Sequence, residues 1–253
     1  MISIVIIGAG NVATHLFKSL ENSENFRVIQ VYNRTKEHLN FFNDKVDTTS
    51  SLNDLKEAEI YILALKDDVI EAVANSLPHN KALTLHTSGA TSLDALKGLE
   101  RRGVLYPLQT FSKNKEVDFT EVPICIEANN PKDEDLLEQL SLEISKKVYR
   151  IDSSQRQNLH VAAVFVSNFA NYMYTVGEDI CKVNDIPFEI LHPLMIETAE
   201  KATKIGPFAA QTGPAKRNDL EVINRHHTLL TEKQQEIYKI LTKSIQDLHG
   251  KEL

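Results

Sequence analysis

The sequence predicts an α/β protein in which a doubly wound, largely parallel sheet is followed by an all-α C-terminal domain. Three observations predict it. Apolar, β-branched runs alternate with helix-like stretches through the N-terminal part of the chain. A glycine-rich turn lies directly between the first such run and the first helix. Beyond Asp152 the strand-like runs stop and long stretches of helical apolar period take over.

The elements follow in order. Ile2-Ser3-Ile4-Val5-Ile6-Ile7 suits a strand buried on both faces of a parallel sheet. Gly8-Ala9-Gly10-Asn11-Val12-Ala13 comes next, then a helix carrying Leu16, Phe17 and Leu20. Further strands are expected at 27–32, 60–65, 82–86, 104–106, 123–127 and 148–151, with helices before residue 82 and over 133–145. Helical stretches are then expected over 154–183, 188–205 and 232–248. Gly206-Pro207 stops the second of these, and Thr231 with Gln234 forms a capping box that starts the third. The chain thus divides into 1–152, a cofactor domain, and 153–253, a helical domain for dimerisation and substrate.

Composition excludes several classes. The 253 residues carry 28 Lys+Arg against 35 Asp+Glu, a net charge of -7, and neither part of the chain is basic. That argues against nucleic acid as a partner. Two distant cysteines, Cys125 and Cys181, build neither a disulfide framework nor a metal motif, and no metal site is expected. No apolar run is long enough to span a membrane, and the N-terminus lacks a signal-peptide pattern. The expected location is cytoplasmic.

Gly8-x-Gly10-x-x-Ala13 is the Rossmann dinucleotide fingerprint in its proper setting, strand before and helix after. Gly8 permits the turn, Gly10 lets the backbone approach a pyrophosphate, and Ala13 lets the helix pack closely on the sheet. Gly8, Ala9, Gly10, Asn11 and Val12 are therefore candidate cofactor contacts. The end of the second strand distinguishes the dinucleotide. An NAD site places Asp or Glu there, whereas this chain has Asn33-Arg34-Thr35, which favours the 2′-phosphate of NADP(H). Ligands of open α/β sheets lie outside the carboxyl ends of the strands. That rule adds Ala64, Leu65, Asp67 and Thr87 to the cofactor candidates, and Ser88 as an orienting hydroxyl beside Gly89.

In the first long helix, Ser167 and Asn171 fall within roughly 20° of His160 on an ideal helix, and Asn168 within roughly 80°. This helix is expected to be otherwise buried, and a polar stripe on a buried helix must be satisfied, either by neighbouring protein or by a cleft holding cofactor and substrate. His160 is the candidate acid/base because its intrinsic pKa lies near operating pH. Ser88 and Asn168 would orient the substrate, with Ser167 beside them. The cluster 212–219 reads either as a grip for an anionic group, through Arg217, or as a capped helix start with a solvated face. His226 and His227 follow it without metal spacing; His226 is a further substrate candidate.

The chain resembles the predicted NADP oxidoreductases that join a Rossmann domain to a helical domain of uncharacterised function. These are relatives of pyrroline-5-carboxylate reductase, deazaflavin-dependent NADP reductase and the 6-phosphogluconate dehydrogenase superfamily. The resemblance rests on Gly8-x-Gly10-x-x-Ala13, Asn33-Arg34-Thr35, His86-Thr87-Ser88-Gly89, His160-x-x-Ala163 through Ser167-Asn168-Phe169, Gly206-Pro207 and Thr212-Gly213-Pro214-Ala215-x-Arg217-x-Asp219. It implies a C-terminal domain like that of 6-phosphogluconate dehydrogenase and a homodimer packed through the helical domains. Two departures stand out. Hydroxyacid dehydrogenases of the wider superfamily use a helix lysine, and this helix offers His160 and Asn168 instead. Tyr106-Pro107 stands where relatives carry His-Pro, which argues against a proton donor there. The expected activity is hydride transfer between NADP(H) and a small carbonyl, imine or hydroxy compound in the interdomain cleft. The alternative is a non-catalytic, redox-sensing NADP(H)-binding dimer; deazaflavin reduction is a third reading.

Overall fold

A computed structural model describes residues 1–77, 81–112 and 115–250. The chain forms two compact units, Met1–Ser167 and Asn168–Leu253.

The first unit is built on an eight-stranded sheet of order β3-β2-β1-β4-β5-β6-β7-β8. Its strands are β1 (Ile2–Ile7), β2 (Phe26–Tyr32), β3 (Asp47–Thr49), β4 (Ile60–Leu63), β5 (Leu83–His86), β6 (Arg102–Pro107), β7 (Ile124–Ala128) and β8 (Val148–Arg150). Every pairing is parallel except β6 with β7. Successive side chains of a strand point to opposite faces, so each strand feeds two cores. On one face Ile4, Ile6, Ile60 and Ile62 pack against α1 (Asn11–Leu20) and α3 (Pro131–Ile144) through Leu16, Phe17, Leu137 and Leu140. On the other, Val5, Ile7, Tyr61 and Leu63 pack against Ile70 and Ala74 of the short α2 (Ile70–Ala74) and against Leu96. Apolar residues on both faces explain why the strands read as unbroken β-branched runs. The strand order reverses direction at β1 and β4, the place where such sheets open a ligand crevice.

The last element of this unit is a helix that starts at a capping box: the Asp152 side chain accepts from the Gln155 N–H, and Gln155 accepts from the Asp152 N–H. It runs as α4 (Ser153–Ala163) and enters a π-helical segment (Val164–Phe169); α5 (Ala170–Val183), which follows, belongs to the second unit. The expectation of one regular helix over 154–183 is corrected here. The π-turn shifts the phase, so the angular alignment of Ser167 and Asn171 with His160 on an ideal α-helix does not hold. The helix is also not buried: Val161 is 56% and Val166 78% exposed.

The second unit is helical throughout its described residues. A 3₁₀ turn (Phe188–Leu191) leads into α6 (His192–Ile205), and the short α7 (Pro207–Ala210) follows. Then come α8 (Leu220–His227) and α9 (Glu232–His249). Gly206 ends α6 at φ +84°, a conformation that favours glycine, and Pro207 cannot continue that helix. The capping box at Thr231 and Gln234 forms as the spacing predicts. Among the described residues no helix is long and apolar enough to cross a membrane.

Candidate active site

The first region of interest is the turn between β1 and α1. Gly8 adopts φ +119°, and a Cβ at this position would lie 2.2 Å from the carbonyl oxygen of Ala64. Its N–H donates to the Tyr32 carbonyl at 2.7 Å, while the Ala64 N–H donates to Ile7 at 2.9 Å. Only glycine can hold the chain this tightly between β2 and β4. Gly10 caps α1 with no side chain, and an added Cβ there would meet nothing within 4 Å. The first turn of α1 holds no carboxylate, and Ala13 is fully buried against the sheet. Free N–H groups, a positive dipole end and open space are what a pyrophosphate requires, so these residues fit a dinucleotide. Ala9 is buried and Val12 half-buried. The Asn11 side chain is already engaged, donating to the Phe111 carbonyl at 2.8 Å and so tying α1 to the loop after β6.

Beside it lies the turn after β2. The Asn33 N–H donates to Thr49 at 3.1 Å, and its side-chain amide donates to the Thr35 carbonyl at 2.9 Å, which shapes the loop. Arg34 and Thr35 are exposed, and among the described residues Arg34 makes no ion pair. Its guanidinium is therefore available to a phosphate. After β4, Ala64 and Leu65 line the back of the Gly8 turn, and Asp67 is exposed at the start of a 3₁₀ turn (Asp67–Val69).

The second region is at the ends of β5 and β6. His86 is fully buried, and its Nδ1 accepts from the Ser88 N–H at 3.2 Å. Among the described residues its Nε2 has no hydrogen-bond partner. Burial, reinforced by the Arg156 charge, pushes its pKa down to about 4, and the nearby Ser92 backbone opposes this only in part. His86 is thus a neutral structural histidine. Thr87 and Ser88 are also buried. The Ser88 Oγ accepts from the N–H groups of Ala90 and Thr91, at 3.1 and 2.9 Å, which leaves its own hydrogen to donate.

His160 comes onto this turn from α4. Its Nδ1 lies 3.1 Å from the Tyr106 hydroxyl, and a Cβ on Gly89 would sit 2.6 Å from Tyr106 Cζ and 2.8 Å from His160 Nδ1. Gly89 is therefore glycine for close approach. Burial raises the pKa of the Tyr106 phenol, with Cys125 adding to the effect, so it stays protonated. A buried ion pair fixes the helix that carries His160. Arg156, one turn earlier and fully buried, pairs with Glu127 on β7 and donates to the Thr91 carbonyl at 2.7 Å. Ser153 donates to the same Glu127 carboxylate at 2.8 Å, and Gln157 donates to the Ala90 carbonyl at 3.1 Å. The loop after β5 and the start of α4 are one bonded assembly.

The structure thus brings His160 to the Ser88–Gly89 turn, and Gly8 to Ala64 and Leu65. Ser167 is half-buried in the π-helical segment. Asn168, Arg217 and His226 belong to the second unit. There Asn168 and Arg217 are exposed, and the Nδ1 of His226 lies 2.9 Å from the Tyr238 hydroxyl of α9. The loop carrying Arg217 turns at Gly213, φ +107°, and ends at Asp219, whose side chain caps α8 by accepting from Val222. That is the capped-start reading of the cluster; it leaves the Arg217 guanidinium in solvent. Sequence reasoning missed Tyr106, Arg156 and Glu127. Arg156 stands four residues before His160 on one helix face, a signal the sequence does carry. Among the described residues no cluster of side chains could hold a metal ion.

Comparison with known proteins supplies the family. Residues 3–85 match a domain described as NADP oxidoreductase coenzyme F420-dependent, and residues 122–245 match a domain of unknown function, DUF2520. No curated protein matches significantly. Among solved structures, a "putative NADP oxidoreductase" from Bacteroides fragilis is 39% identical over 97% of this chain and 98% of its own, with a TM-score of 0.87. A reductive aminase from Aspergillus terreus in complex with NADPH and ethyl levulinate shares the fold at 12% identity and TM-score 0.74, covering 99% and 95% of the two chains. A pyrroline-5-carboxylate reductase from Coxiella burnetii does so at 19% and 0.55, covering 98% of each. With a Rossmann sheet, a C-terminal helical unit and this identity across nearly its whole length, the chain belongs to the family of NADP oxidoreductases that carry a C-terminal DUF2520 domain.

Proposed function

We propose that this NADP oxidoreductase interconverts a small carbonyl, imine or hydroxy compound, with His160 as the acid/base group. One observation carries the reading: an imidazole is held against a glycine turn at the carboxyl ends of β5 and β6, where ligands of such sheets bind. Its Nδ1 is engaged by Tyr106, the one hydrogen bond of the ring among the described residues.

NADPH, when bound, supplies the hydride. Gly8, Ala9, Gly10, Asn11 and Val12 would hold its pyrophosphate on the head of α1, Asn33, Arg34 and Thr35 its 2′-phosphate, and Ala64, Leu65, Asp67 and Thr87 its remaining edge. Ser88 would donate to the substrate oxygen or nitrogen with the hydrogen its local bonds leave free. His160 would move the proton. Asn168, Ser167, Arg217 and His226 are the further substrate contacts in this reading. A homodimer formed through the helical unit is part of it, supported by exposed apolar side chains such as Val183, Leu229 and Ile240. Buried, unpaired Cys125 and Cys181 accord with a reducing, cytoplasmic location.

The test is a panel of carbonyl, imine, hydroxy and deazaflavin compounds offered with NADPH, alongside fluorescence titration of NADPH and NADH. NADPH oxidation with at least one class supports the reading. Tight NADPH binding without oxidation by any class overturns it in favour of a non-catalytic redox sensor.

A further inference from the structure

The Tyr106–His160 contact has a direction, and the direction assigns a role. A phenol is both donor and acceptor, but its hydrogen needs an acceptor when the group is buried. Tyr106 is 9% exposed, and among the described residues its hydroxyl meets one hydrogen-bonding partner, His160 Nδ1, at 3.1 Å. If Nδ1 carried the imidazole hydrogen and donated to the phenol oxygen, the phenol hydrogen would be left without an acceptor. With the phenol as donor, Nδ1 accepts, and the hydrogen of the neutral imidazole sits on Nε2. The raised phenol pKa agrees, since it keeps the donor protonated.

The pair has little freedom to rearrange. Gly89 closes against both rings on one side. Behind them, Tyr106 is opposite Cys125 in the β6–β7 ladder and packs with Val104 and Leu159. One turn before His160, the Arg156–Glu127 pair and the bond to Thr91 lock the helix in place. The geometry is that of an orienting group behind an acid/base histidine.

We propose that Tyr106 is a positioning residue: its hydroxyl donates to Nδ1 of His160 and fixes the imidazole hydrogen on Nε2, the nitrogen left to meet the substrate. This rests on the assignment of His160 as the acid/base group. In the reductive direction the Nε2 proton of His160 passes to the substrate oxygen or nitrogen as the Tyr106 proton passes to Nδ1, so the imidazole stays neutral throughout. The hydride that completes the two-electron reduction comes from NADPH, and the Tyr106 oxygen regains its proton from solvent.

The experiment is ¹⁵N NMR of the histidine-labelled full chain, which reads the ratio of the two imidazole tautomers of His160 directly. Tyr106→Phe removes only the hydroxyl, and the ratio of the Nε2–H to the Nδ1–H form should fall about fivefold, the worth of one net hydrogen bond. A fluorinated tyrosine at position 106, a stronger donor that keeps every contact, should raise it. A merely structural tyrosine would not make the ratio follow donor strength. In turnover, Tyr106→Phe should lower kcat by about ten- to a hundredfold with KM and NADPH affinity unchanged. An unchanged ratio in both variants, an Nδ1–H form in the wild type, or a shifted ratio with unchanged kcat overturns the proposal. If no compound is turned over, the functional reading fails and the tautomer ratio alone decides this one. If turnover depends on His160 but the ratio ignores position 106, this proposal alone fails.

Discussion

The two units of the chain are held together by different means. The sheet unit buries whole rows of Ile, Val and Leu on both faces of its strands, and its ion pairs at Arg156 and Asp133 are covered by protein. The helical unit has the same share of apolar residues in its sequence pattern, yet within the chain it buries few of them. Among its described apolar residues Cys181, Ala215 and Ile223 are buried, whereas Val183, Leu229, Ile240 and Leu194 are 83%, 74%, 66% and 61% exposed. Exposed apolar area on this scale marks an interaction surface, and a helix bundle without an inner core gains its stability from whatever covers it. The sheet unit is a self-contained scaffold for a site; the helical unit is an incomplete one. This is the physical support for the proposed homodimer.

The difference can be broken from either side. The largest effect is expected from Glu127→Leu, which leaves the fully buried Arg156 guanidinium unpaired and should cost about 4 kcal/mol in denaturant unfolding. A loss under 1 kcal/mol would mean that α4 is not anchored by this pair. Acid should act on the sheet unit through His86, whose folded pKa of about 4 lies below its ordinary 6.5. The unfolded chain takes up that proton first, so stability is intact above pH 6.5 and falls by about 3 kcal/mol by pH 4. In His86→Gln the slope over this window should flatten; an unaltered slope places the titrating group elsewhere. For the cofactor, Arg34→Ala should weaken NADPH by about thirtyfold and leave NADH unchanged, since one charge-assisted bond to phosphate is lost. Equal losses for both would remove Arg34 from the 2′-phosphate. The smallest effect concerns the helical unit. If a second copy covers it, each tenfold dilution should remove about 1.4 kcal/mol of its apparent stability and none from the sheet unit. Concentration-independent unfolding of both would leave the exposed face without a second copy upon it.

Backbone constraints and burial made most of the fold legible. The β1–α1 turn could be read because Gly8 needs a positive φ and a close approach that only glycine allows, and Gly10 borders open space at the head of the helix. Most strands could be read because both faces are buried. Strand β3 (Asp47–Thr49) could not, since a three-residue edge strand of Asp, Thr and Thr carries no apolar signal. The π-turn in Val164–Phe169 was hidden for a related reason: apolar periodicity records composition at an assumed pitch, and does not report a change of pitch. The exposed apolar surface of the helices was read as burial, because a sequence does not say whether the covering partner is the same chain. Within the candidate site, His160, Ser88 and Gly89 could be proposed from their placement after strands or on a helix, and the structure brings His160 to the Ser88–Gly89 turn. Tyr106 was set aside as a departure from His-Pro, and its value lies in a contact spanning 54 residues that only the sheet register and the Gly89 gap create.

His160 is proposed as the group that moves the proton beside a cofactor site that does not depend on it. The most direct measurement takes one preparation of His160→Ala and determines both NADPH affinity by fluorescence and turnover with the best compound of the panel. The expected result is unchanged NADPH affinity with turnover lowered by about a hundredfold or more. Turnover within twofold of the wild type, at equal NADPH affinity, would contradict it.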